Sequence, residues 1–212
     1  MKNKKVLLIC NGADEKKDFL QSEAENAFVI CADGGANTAR KAGIIPDVII
    51  GDMDSVTAQT KKFFEKHSRI KWVKVERQDN TDLEKALDYL KDNKIKHATL
   101  VCAAGGRMDF TLGNLAVIFK YTKQMALTLK SVNWAFYPIT KTAVFNCEPN
   151  QRMSLIPNTK CTGVTLSGLK YPLKNVTLET YEPQLSNETL KNKFKVNLTK
   201  GNLLVYIEKK NR

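Results

Sequence analysis

The 212-residue chain is 42% hydrophobic and 26% charged, the balance of a globular protein long enough for one large domain or two modest ones. No apolar stretch approaches the roughly 20 residues of a membrane span, and the lysine-rich start runs straight into a short strand rather than a signal segment, so a cytoplasmic protein with no membrane partner is expected. The formal charge of +12 divides as +4 up to residue 125 and +8 beyond it, with no basic-aromatic recognition motif; it reads as solvated surface with a favourable field for an anionic substrate, and no nucleic acid is expected as a partner.

In chain order, Val6 to Cys10 is an apolar strand, and Asn11-Gly12-Ala13-Asp14 turns into a polar segment of helical character. Phe28 to Ala32 is a second strand running into Asp33-Gly34-Gly35-Ala36-Asn37, and a helix through Ala39 and Lys41 ends at Gly43, which suits a left-handed C-cap. Val48 to Ile50 is a β-branched buried strand that stops at Gly51-Asp52-Met53-Asp54-Ser55. A helix with Phe63 and Phe64 and a strand from Ile70 to Val75 follow.

Gln78-Asp79-Asn80-Thr81-Asp82 then precedes a helix with Leu83, Ala86, Leu87 and Leu90 on one face, for which Thr81 and Glu84 form a capping box. Ala98 to Ala103 is a strand leading to Ala104-Gly105-Gly106-Arg107-Met108-Asp109, and Leu115 to Tyr121 is helical. This alternation predicts an α/β domain over residues 1–125, a mostly parallel sheet with helices on both faces. Beyond it, short alternating segments broken by Pro138, Pro149, Pro157, Gly163, Gly168, Pro172 and Gly201 predict an all-β sandwich over 126–212. The Ala126 to Ser131 segment fits either sheet. The five cysteines are widely spaced with no CxxC pair, and read as buried thiols.

Ligands of an open parallel sheet bind beyond the carboxyl ends of its strands. Four loops fall at such ends, and together they carry six aspartates. If the extended backbone persists past Gly51, Asp52 and Asp54 project to one side and require a hard divalent cation between them; alternatively, Asp54 caps the helix from about Thr57 to His67. The pairs Gly34-Gly35 and Gly105-Gly106 allow a phosphate to approach the backbone. Arg107 either clamps a phosphate or pairs with a nearby aspartate. Asp82 taken alone is a first-turn helix acid and Asp33 a turn residue. There is no GxxxxGK[ST] loop and no GxGxxG after the first strand, and the two histidines are badly placed for zinc or a triad.

In order, spacing and wording, these four loops resemble the thiamin pyrophosphokinase family, and Gly168 to Leu173 with Leu185-Ser186-Asn187 resembles its later motifs, so the likeness spans essentially the whole chain. The resemblance implies an ATP- and Mg²⁺-binding catalytic domain followed by a thiamine-binding and dimerisation domain, working as a homodimer with each active site shared between subunits. It implies transfer of a pyrophosphoryl group from ATP to the hydroxyl of thiamine, giving thiamine diphosphate and AMP. It makes Asp52, Asp54 and Asp79 the Mg²⁺ ligands, lines the site with Asp33, Gly34, Gly35, Asp82, Gly105, Gly106 and Arg107, and gives Asp109 the task of orienting or deprotonating the hydroxyl. Ser186 and Asn187 correspond to the segment that helps bind the thiamine pyrimidine. Some members place a stacking tryptophan near the chain end, where this sequence has Val205 beside Tyr206. Two other readings stand beside this one: a pyrophosphokinase for another hydroxyl acceptor, and a nucleotide-sensing or nucleic-acid module built on the basic second domain.

Overall fold

The computed structural model describes residues 5–76 and 79–209, so Gln78 of the third acidic loop lies outside the described residues. The chain divides into two compact units, Met1–Val132 and Asn133–Arg212.

The first unit alternates strand and helix: β1 (Lys5–Ile9), α1 (Lys17–Ala24), β2 (Ala27–Ala32), α2 (Gly35–Ala42), β3 (Val48–Gly51), α3 (Ala58–Phe64), β4 (Lys71–Lys74), α4 (Asp82–Asp92), β5 (His97–Val101), α5 (Met108–Tyr121) and β6 (Ala126–Lys130). Its strands lie in the order β6-β5-β1-β2-β3-β4, with every neighbouring pair parallel. The near-continuous apolar runs of β1 and β3 follow from burial on both faces. One face, carrying Leu7, Ile9, Cys31 and Ile49, packs against Leu20, Ala39 and Phe64 of the first three helices. On the other face, α4 lies against β2, β3 and α5.

Local sequence chemistry sets the helix ends. Gly43 takes the left-handed conformation (φ 73°) at the end of α2. Thr81 and Glu84 form the capping box of α4, each side chain meeting the other's backbone N–H at 3.2 Å. α5 starts at Met108, earlier than the sequence pattern implies, so Asp109 lies in a helical first turn and not in a loop. β6, which alternation alone assigns to either sheet, pairs in parallel with β5, and the division between units comes after it.

The second unit contains β7 (Trp134–Ile139), β8 (Ala143–Asn146), β9 (Arg152–Pro157), β10 (Cys161–Ser167), β11 (Val176–Leu178), β12 (Gln184–Glu188), β13 (Lys193–Asn197) and β14 (Leu203–Glu208). They form two antiparallel sets, β12-β9-β14-β7 and β11-β10-β13-β8. Met153 and Leu155 from the first set share one core with Val164, Leu166, Phe194 and Val196 from the second, giving the expected sandwich. All five cysteines are free thiols; Cys10, Cys31, Cys102 and Cys161 are buried, whereas Cys147 is only partly so.

Candidate active site

The chain runs outward from β1 through β2, β3 and β4, then α4 carries it back to β5 on the other side of β1. The crevice beyond the carboxyl ends of β1 and β5 is therefore the switch point of the sheet, where an open α/β fold binds ligands. A cavity of about 480 Å³ opens there, lined by Cys10, Asn11 and Gly12 after β1, Ala103 and Gly105 after β5, and residues of α5. The two strand ends are stitched together by hydrogen bonds from Cys10 N to Val101 O (3.0 Å) and Gly12 N to Cys102 O (2.8 Å). The Asn11-Gly12 stretch, read from sequence only as a turn, is part of this wall.

Three carboxylates from three elements converge here, and two of them, Asp52 and Asp82, line the cavity. Asp33 follows β2, Asp52 follows β3 and Asp82 opens α4, and one oxygen from each lies within 4.8 Å of the other two. Asp33 is fully buried. Its backbone is in the left-handed region (φ 40°), its N–H donates to Ile50 O (2.8 Å), and its Oδ2 accepts from Ser55 N (3.1 Å). Its Oδ1 is buried and accepts no hydrogen bond among the described residues. Burial, together with the Asp82 and Asp52 charges, raises its pKa against the opposing pull of the Ser55 bonds.

A lysine that the sequence reading passed over completes the cluster. The Lys85 ammonium donates to Asp52 Oδ2 and to Asp82 Oδ1, both at 2.9 Å, with the side chain only 4% exposed. Burial alone would lower its pKa, but the two carboxylates outweigh that and raise it. The same ammonium holds Asp52 below the ordinary carboxylate range. The only hint in the sequence was the Asp82/Lys85 spacing of three on a helix.

Several expected site residues sit differently. The extended backbone does not persist past Gly51: Met53 has φ 71°, and Asp54 N folds back to Asp52 Oδ1 at 3.3 Å, while both aspartates line the cavity. Asp54 lines the cavity and accepts from Ser55 Oγ (3.0 Å), but is not in the three-carboxylate cluster. Nor does it cap α3; Thr57 does, through its hydroxyl and the Thr60 N–H. Asp79 lies in the bend before α4, likewise outside the cluster.

Gly34 and Gly35 are buried where a side chain would strike Asn11 and the Ile9 carbonyl, so close packing against β1 explains them. Gly105 lines the cavity in the left-handed conformation (φ 88°), its N–H donating to Thr111 Oγ1 (3.0 Å); Gly106 beside it has φ 70°. Arg107 pairs with Asp109 through two hydrogen bonds of 3.1 and 2.6 Å and lies over the Phe110 ring. That pairing lowers the Asp109 pKa.

In the second unit, Ser186 adopts φ 59° and donates its N–H to Ser154 Oγ (3.1 Å). Asn187 is buried, its amide accepting from Tyr171 N (3.0 Å) and Glu188 N (2.8 Å) and donating to Tyr171 O (2.7 Å), which ties β12 to the Tyr171 loop.

Comparison with known proteins gives this geometry its family. The thiamin pyrophosphokinase catalytic domain matches residues 19–129, and the thiamin pyrophosphokinase vitamin B1 binding domain matches residues 142–203. A protein of Bacillus subtilis (strain 168) named thiamine pyrophosphokinase is 30% identical over 186 residues, covering 85% of this chain and 87% of its own. The crystal structure of thiamine pyrophosphokinase from Bacillus subtilis superposes with a TM-score of 0.85 at 25% identity, over 98% of this chain and all of that one. Thiamin pyrophosphokinase from Candida albicans shares the fold with a TM-score of 0.83 at 20% identity, over 99% of this chain and 90% of its own. With both domains matched in order and the acidic loops gathered at the sheet's switch point, the chain belongs to the thiamin pyrophosphokinase family.

Proposed function

We infer that this protein is a thiamine diphosphokinase, transferring the pyrophosphoryl group of ATP to the hydroxyl of thiamine and giving thiamine diphosphate and AMP. The observation that carries the reading is the convergence of Asp33, Asp52 and Asp82, two of which line the switch-point cavity, with the buried Oδ1 of Asp33 lacking a donor among the described residues.

The donors are all carboxylate oxygens, the set that suits Mg²⁺ and not a soft metal. We assign the ion to Asp33, Asp52 and Asp82, with Asp54 at the cavity wall and Asp79 in the bend before α4 acting on the same charged region. When bound, Mg²⁺ supplies charge neutralisation for a polyphosphate and a rigid template for displacement at phosphorus. The chain's own contribution is positional: Gly105 lines the cavity with no side chain in a phosphate's way, and Asp109 orients the attacking hydroxyl while Arg107 fixes the Asp109 carboxylate.

The accompanying assembly is a cytoplasmic homodimer in which Ser186 and Asn187 help to bind thiamine in an active site shared between subunits. Supporting it, Met108, Phe110 and Leu112 at the start of α5 are 68%, 55% and 62% exposed, and Phe110 borders the cavity, so this mouth offers apolar surface to a covering partner. Among the described residues no helix is long and apolar enough to cross a membrane.

The test is a product assay: ATP, Mg²⁺ and thiamine should yield AMP and thiamine diphosphate in equal amounts. Release of ADP, or no product, overturns the reading.

A further inference from the structure

The buried ammonium of Lys85 is already the counter-charge of the carboxylates assigned to the metal. It belongs to the first turn of α4 together with Asp82, three residues before it, but reaches Asp52, thirty-three residues away, at the tip of β3. It thus ties a helix start to a strand end. A lysine is almost never this deeply buried unless it is paired, because desolvating an unpaired ammonium costs several kcal/mol. Removing Lys85 would leave three carboxylates within 4.8 Å with no fixed positive charge among them. Lys85 holds one oxygen each of Asp52 and Asp82, and these are two of the three carboxylates gathered in the cluster.

We propose that Lys85 is a positioning residue that also competes with the metal: its ammonium holds Asp52 and Asp82 convergent and has to release at least one of them when a divalent cation enters. This rests on the magnesium site proposed above. The competition keeps the affinity of the nucleotide-free protein for a bare cation low, and it ties the Asp33–Asp52–Asp82 geometry to one side chain that is not itself a ligand. A lysine serving only to join α4 to β3 would show no such opposition, since breaking that joint would loosen the ligands and weaken metal binding.

The experiment measures Mn²⁺ affinity of the nucleotide-free protein, by electron paramagnetic resonance, for wild type, K85M and K85R. Methionine keeps length and bulk but removes the charge, so K85M should bind Mn²⁺ about tenfold more tightly while its turnover falls, because cation affinity rises with the net negative charge of the ligand set. K85R retains the cation and should stay near wild type. Equal or weaker binding by K85M, with wild type binding normally, overturns the competition and leaves the metal site standing. Absence of Mn²⁺ binding in all three overturns the metal site and this inference with it. A measurement on wild type stands even if K85M fails to fold. In ¹⁵N-lysine spectra, the shielded ammonium signal missing from K85R should move when Mg²⁺ is added, and a signal that does not move at saturating Mg²⁺ overturns the proposal.

Discussion

Gly51 lies so close to Asp33 that a Cβ atom added to it would come within 2.7 Å of the Asp33 Cβ and 3.3 Å of its Cα. The contact joins the end of β3 to the buried acid after β2, and Gly51 holds it at φ 152°, a conformation that side chains disfavour. Gly51→Ala should therefore cost about 1–3 kcal/mol of stability by overpacking. It should also lower turnover more than that loss explains, since the displaced group is Asp33. Urea unfolding and a turnover assay on the same preparation separate the two effects.

Asp33→Asn should stabilise the protein while abolishing turnover. Burial raises the folded pKa of Asp33 above its unfolded value. At low pH both states carry the proton and nothing is lost; as pH rises the unfolded chain ionises first, and the folded state is penalised from there through its own raised pKa and above. Asparagine removes that charge and can still accept from Ser55. A gain of about 1–3 kcal/mol at neutral pH, the scale of a buried polar group without a partner, should appear in thermal unfolding and shrink toward acid pH.

Glu23 should behave in the opposite sense. Burial alone would raise its pKa, but the ammonium groups of Lys5 (2.9 Å) and Lys130 (3.0 Å) win and lower it. A depressed carboxylate contributes stability above its unfolded pKa and loses it as pH falls through the folded one. Glu23→Gln should thus destabilise at pH 7, and the difference from wild type should close as pH falls below the ordinary glutamate value of 4.5. A stability curve against pH for the two proteins measures it.

The start of α3 separates structure from chemistry. Thr57→Ala removes the cap of that helix and should cost about 1 kcal/mol. Asp54→Asn removes a cavity-lining charge but no cap, and should cut turnover at least tenfold with little change in melting temperature. If Asp54→Asn melts early and keeps its activity, the assignment of Asp54 to the site fails.

What the sequence made legible was whatever depends on local pattern. The strand-helix alternation, the left-handed Gly43 and the Thr81–Glu84 box follow from periodicity and capping chemistry, and the acidic loops fall at strand ends, where the fold gathers ligands. The departure from extended backbone between Asp52 and Asp54 was not legible, because nothing in the local pattern marks Met53, a non-glycine residue, as left-handed. Lys85 was hidden because its partner Asp52 is distant in sequence. In the second unit Pro138, a turn signal in isolation, instead pairs with Leu204 inside β7. β12 carries no clean alternation, because its register slips between Gln184 and Asn187, where Ser186 turns left-handed.

The thiols have a practical consequence. Burial raises the pKa of Cys102 to about 12 and raises those of Cys10 and Cys31 as well, so none of the three carries an appreciable thiolate fraction at neutral pH while the first unit stays closed. Two of them directly follow β1 and β5, beside the cavity. Cys147, partly exposed, should react with an alkylating reagent first, and the rate at which Cys10, Cys31 and Cys102 follow becomes a clock for how often the first unit's sheet opens. A substrate that closes the cavity would slow that clock at Cys10, so occupancy of the site could be read by mass spectrometry from the extent of alkylation there.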